Sequence, residues 1–83
     1  MRIRYWRNKA RLEIDFVLAH SRDRVDAVEC KWNSAAFDSA SLAAFRKMYP
    51  HGRNFLVTPA AGPALMKTYG NLEVQQCSPA ALR

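Results

Sequence analysis

Residues 13–32, EIDFVLAHSRDRVDAVECKW, constrain the fold of this chain more than any other stretch. From Leu12 to Ala19 the even positions Leu12, Ile14, Phe16 and Leu18 are apolar. The odd positions run Glu13, Asp15, Val17 and Ala19, so the segment has the period of two expected of a strand with one core face. His20 to Asp23 is polar and compact and reads as a turn. Arg24 to Trp32 again separates by parity, with Val25, Ala27, Glu29 and Lys31 on one side and Asp26, Val28, Cys30 and Trp32 on the other. Arg2 to Arg7 (RIRYWR) is rich in β-formers and ends at Asn8-Lys9, which adds a strand before these two and makes a meander.

A helix is predicted next, over Ser39 to Met48. Asp38 or Ser39 serves as N-cap, Leu42, Phe45 and Met48 or Tyr49 are spaced three to four apart, and Arg46-Lys47 sit where the helix dipole favours cations. Pro50 stops it. Arg53 to Thr58 (RNFLVT) has the composition of a strand inside a sheet, and a strand-helix-strand passage implies a parallel crossover. Pro63 to Tyr69 reads as a short second helix ended by Gly70, and Leu72 to Cys77 as a last strand. The expected fold is α+β, a mixed sheet in the order βββαβ(α)β, in one domain spanning residues 1–83.

Size and charge bound the function. At 83 residues the core is thin, with about 60 to 65% of the unfolded chain's surface removed from water. No apolar run approaches the roughly 20 residues of a membrane span, so no membrane association is expected. Thirteen Lys and Arg against seven Asp and Glu give a net charge of +6, a surface suited to polyanions. The two cysteines, Cys30 and Cys77, have neither CxxC spacing nor a neighbouring His, which excludes a zinc motif and a disulfide framework. No signal-peptide pattern opens the chain, so the expected location is the cytoplasm.

Strands two and three put Asp15, Glu29 and Lys31 on one face, and only odd-with-odd registers keep both apolar sets together. With a turn over residues 20–24, Asp15 faces Glu29 and Glu13 faces Lys31; with a loop two residues shorter, Asp15 faces Ala27 and Glu29 is its diagonal neighbour. Both registers bring the carboxylates within roughly 5 to 8 Å at Cβ. Like charges at that distance need a shared proton or cation, and two oxygen ligands suit Mg²⁺, with Mn²⁺ as a substitute. Such a metal activates water and neutralises charge on a scissile phosphate.

These residues also carry a resemblance. Asp15 at the end of an apolar strand, followed by Glu29-Cys30-Lys31, resembles the D…(D/E)-x-K signature of the PD-(D/E)XK nuclease superfamily, with its restriction-endonuclease-like αβββαβ core. The segments YWRNKARLEIDFVL, VDAVECKW, FRKMYP, NFLVTP and CSPAAL, in this order, resemble the C-terminal domain of unknown function carried by prokaryotic AAA-type ATPases. The resemblance spans nearly the whole chain and implies metal ligation by Asp15 and Glu29 with catalytic assistance from Lys31. Ile14 stands where the superfamily often has Pro, and the chain starts directly in a strand where the core usually opens with a helix bearing another acid. With no GxxxxGK[ST] loop present, the expectation is a C-terminal or truncated piece of a larger product.

The functional expectation is a nuclease-like, Mg²⁺-dependent phosphodiesterase acting on or binding DNA. The alternative is a catalytically inactive interaction or dimerisation domain associated with an AAA-type ATPase, forming a homodimer or docking to a larger protein. Arg2, Arg4, Arg7, Lys9 and Arg11 interleave with Tyr5 and Trp6, a pattern that fits a phosphate-tracking surface and equally fits a charged edge strand. By parity Trp32 and Cys30 are expected in the core. His20 and His51 are expected at the surface, and Glu13 as a partner of Lys31 or Arg11.

Overall fold

The computed structural model describes residues 2–59 and 64–79. Within them the chain forms β1 (Arg2–Arg7), β2 (Glu13–Ala19), β3 (Val25–Cys30), a short 3-10 turn (Ser34–Ala36), α1 (Ser39–Met48), β4 (Asn54–Val57), β5 (Leu65–Tyr69) and β6 (Leu72–Cys77). The architecture is α+β, one mixed six-stranded sheet in the order β1-β2-β3-β4-β6-β5. The β1-β2-β3 meander is antiparallel, β4 runs parallel to both β3 and β6, and β5 is antiparallel to β6. Residues 31–53 return the chain from β3 to β4 and include the one α-helix among the described residues.

Asp38 caps α1, its side chain accepting from the Ala40 amide at 2.9 Å. That removes one orphan donor of the first turn, a contribution of about 1 kcal/mol. Leu42 and Phe45 then bury against Ile14, Val17, Ala27, Leu56 and Val74, and fully buried side chains of this size contribute about 1.5 to 3 kcal/mol each. Trp6 packs edge-on to Phe45 at 5.4 Å between ring centroids. Arg46 stands in the last turn of the helix as expected, and it is buried. Its guanidinium donates to Asn54 Oδ1 (2.8 Å) and to the carbonyls of Val25 (2.9 Å), Tyr49 (3.0 Å) and Arg53 (2.8 Å). One side chain thus ties the end of α1 to the starts of β3 and β4.

Three expectations fail for identifiable reasons. Leu65–Tyr69 is a strand, not the second half of a helix, and Pro63, the expected helix start, lies outside the described residues. Gly70 has φ 64° and opens a two-residue loop, Gly70-Asn71, that pairs Tyr69 with Leu72; a positive φ at that position is the signature of a tight hairpin.

The core face of β2 also changes side along its length. Ile14 and Val17 both bury toward α1 while Phe16 is exposed. The β1-β2 register explains it, because Trp6 pairs with Ile14 but Arg4 pairs with Val17, which leaves one residue on β1, Tyr5, against two on β2. The extra residue is a bulge at Asp15-Phe16, which reverses the alternation beyond it.

Finally, Trp32 is 83% exposed and Cys30 is exposed too, because β3 leaves the sheet at Cys30. Parity assigns a face only while the ladder continues. Cys77 by contrast is fully buried, with Val28 and Val57, in a second cluster to which α1 contributes nothing.

Candidate functional site

Asp15 lies in the β2 bulge, and the bulge determines what its carboxylate can reach. The β2-β3 pairs run Ala19 with Val25, Leu18 with Asp26, Val17 with Ala27 and Phe16 with Val28. Continued one step, this register sets Asp15 against Glu29, as the first of the two sequence-derived registers requires. The ladder ends there, and Asp15 Oδ2 accepts the Cys30 amide at 2.8 Å in place of a strand carbonyl. The side chain has taken over a backbone bond where β2 and β3 part.

Glu29 alternates with Ala27 toward the α1 side of the sheet and is 4% exposed. Burial first, and then the Asp15 carboxylate, push its pKa from 4.5 up to about 7, with the Lys31 ammonium working the other way. At neutral pH the pair therefore holds a proton about half the time. Cys30 sits in the same negative field: its thiol pKa is raised by desolvation of the sulfur, although the residue as a whole is exposed, and then by Asp15 and Glu29. A thiol so raised is a poor nucleophile. Lys31 keeps its amide in the ladder, donating to the Val57 carbonyl at 3.0 Å, which fixes its Cα two residues past Glu29 at the open end of β3.

In the parallel registers Glu29 pairs with Leu56 and Leu56 with Gln76, so Glu29 and Gln76 share one row on one face, two strands apart. Among the described residues the Gln76 Oε1 is buried with no hydrogen-bond partner. A buried acceptor without a donor is costly, about 1 to 3 kcal/mol, and becomes useful if a cation or donor arrives. The Asp15 and Glu29 carboxylates are hard ligands of the kind Mg²⁺ takes alongside water and substrate phosphate. Among the described residues no group of three or more His, Cys, Asp or Glu side chains forms a metal cluster.

The five basic residues expected on one surface divide between the two ends of the sheet. Arg2 pairs with Ala19 and so stands about 17 Å along the strand from Arg7, at the end away from Asp15. Arg7 is bound to Glu13 (3.2 Å), which is therefore not the partner of Lys31 or Arg11. Arg4 lies beside Val17. Lys9 and Arg11 occupy the β1-β2 loop, closed by Asn8 through the Leu12 amide (3.0 Å) and Arg11 amide (3.1 Å). Since β2 begins where β3 ends, this loop lies at the same end of the sheet as Lys31. Arg11 has φ 64°, a left-handed conformation costing a non-glycine residue roughly 1 kcal/mol.

At the opposite end of the sheet, a shallow cavity of about 840 Å³ is lined by Arg46, Arg53, Asn54 and Gln75. Two residues that sequence reasoning did not single out organise that end. Asp26 is buried; its Oδ1 accepts the Arg53 amide (2.8 Å) and its Oδ2 lies 2.8 Å from His20 Nε2. His20 itself is exposed, as expected. Asp26 and Arg46 hold the loop before β4 in place; the sequence marked Arg46 only as a cation at the helix end and Asp26 only as a charge among apolar neighbours.

A family description, the domain of unknown function DUF4143, matches residues 1–77. No curated protein and no solved structure matches the chain. No helix among the described residues is long and apolar enough to cross a membrane.

Proposed function

The chain belongs to the DUF4143 family, found with AAA-type ATPases, and from that premise and its acid pair we propose a nuclease-like domain of the PD-(D/E)XK type, a Mg²⁺-dependent phosphodiesterase acting on DNA. The observation that carries the reading is the bulge that turns Asp15 onto the Cys30 amide opposite a buried Glu29 whose pKa is about 7. A fold does not place two carboxylates together at that cost for stability alone. Asp15 and Glu29 hold the ion, and Lys31 stands beside the scissile phosphate to offset its developing charge. When bound, Mg²⁺ supplies Lewis acidity and a lowered water pKa.

Cleavage of a labelled DNA in Mg²⁺ tests this. Asp15→Asn, Glu29→Gln and Lys31→Ala are each expected to reduce the rate by about a hundredfold or more. Cleavage unchanged in all three variants contradicts the assignment.

A second reading, an interaction domain serving an ATPase, is favoured by one feature: Ile3, Tyr5 and Phe16 are 66%, 72% and 47% exposed on the sheet face away from α1. Light scattering across micromolar concentrations tests that reading, which a stable monomer contradicts.

A further inference from the structure

Trp32 is the most exposed of the large hydrophobic residues described, at 83%, whereas the other tryptophan, Trp6, packs against the core. An indole left in water forgoes the burial that makes tryptophan worth carrying in so small a core. Its position is specific. It is the first residue after Lys31, whose amide makes the last β3-to-β4 bond, and it follows Glu29 by three. Extending the β2-β3 register sets residue 31 opposite Glu13, so Trp32 lies at the end of the sheet that also carries the Lys9 and Arg11 loop. Cations and an exposed aromatic face at one strand end are what a single strand of nucleic acid binds, phosphates to the charges and a base to the ring. Bases within a duplex are already stacked and have no face to offer.

We propose that Trp32 is a base-stacking platform and that the substrate is single-stranded or locally unpaired DNA, held beside the acid pair by Lys9, Arg11 and Lys31. This rests on the nuclease-like reading and adds the substrate class. Trp32 is a specificity-determining residue, since it meets a base and not the reacting phosphate.

The test measures binding without metal, so that it does not depend on cleavage. Anisotropy of a labelled oligothymidylate, and of the duplex it forms with its complement, is followed in chelator with wild type, Trp32→Ala and Trp32→Phe. The expected result is preference for the single strand, lost by about tenfold or more in Trp32→Ala and retained in Trp32→Phe. Because Trp32 is exposed, circular dichroism of the variant should superimpose on wild type. The inference is overturned if Trp32→Ala binds the single strand as wild type does, if it weakens both nucleic acids equally, or if wild type binds neither at low salt. Trp32→Ala that leaves nucleic-acid binding intact while abolishing self-association also overturns it, in favour of a protein contact. Metal-dependent cleavage lost in Asp15→Asn but indifferent to strandedness would leave the nuclease reading standing and remove only this inference.

Discussion

Ionising Glu29 in the folded chain places a negative charge beside Asp15 at a position with almost no solvent. The folded state therefore binds that proton more tightly than the unfolded chain, whose carboxyl titrates near 4.5, while the folded one titrates near 7. Stability of the metal-free protein is full below this window and falls as pH rises through it, by about 2 to 3 kcal/mol. Urea unfolding below and above the window should show the loss in wild type and not in Glu29→Gln, which should be the more stable of the two at the alkaline end. Equal pH dependence in both proteins would remove Glu29 as the cause.

Gly52 makes a second residue-scale test. At φ 143° its Cα lies so close to the Val25 carbonyl that any Cβ would collide with it, and that same carbonyl accepts from Arg46. Gly52→Ala is expected to destabilise by about 3 kcal/mol or more, read in thermal unfolding, because both the backbone conformation and the space exclude a side chain.

At the scale of elements, α1 and the loop before β4 depend on Arg46. Replacing it with Met leaves the carbonyls of Val25, Tyr49 and Arg53 without its guanidinium as donor, and a loss of about 2 to 4 kcal/mol is expected in urea unfolding. Lys should recover little of it, since one ammonium cannot reproduce a planar fork with several acceptors. A Lys variant as stable as wild type would show that charge alone matters. Period and capping made β1, α1 and β6 legible: β-formers fill Arg2–Arg7, Asp38 caps α1, and the boundaries of β6 match. The parts that were not legible depend on contacts between segments distant in sequence. Leu65–Tyr69 is too short for a periodicity to decide, and the Gly70-Asn71 turn that would have marked a hairpin resembles a helix stop. The bulge at Asp15 leaves no trace in an alternating pattern, because it shows only when the β1 register is counted against β2. The sequence left two β2-β3 registers open, and the turn over residues 20–24 selects the one that, continued past Phe16 and Val28, sets Asp15 against Glu29. The exposure of Trp32 was not, since nothing in its parity says where the ladder stops.

Taken whole, the molecule gathers its proposed site at one end of the sheet and its buried polar fastenings at the other. Asp15, Glu29, Lys31, Lys9 and Arg11 gather where β2 and β3 part, while Asp26, Arg46 and Gly52 fasten the other end. This polarity, added to a net charge of +6, gives the basic residues unequal weights. Charge reversal at Lys9 or Arg11 is expected to reduce the salt slope of DNA binding by about one for each phosphate no longer neutralised, and reversal at Arg2 to change it less. Equal effects at Arg2 and Arg11 would mean that the whole β1 edge tracks the backbone.

Asp15 and Glu29 are proposed to hold a divalent cation together, and a Mg²⁺ titration of isotopically labelled protein, following backbone amides by NMR with Asp15→Asn alongside, tests this directly. Saturable shifts centred on Asp15, Glu29, Cys30 and Lys31, absent in the variant, are the expected result. No shifts at those amides at millimolar metal, or the same shifts in Asp15→Asn, would contradict it.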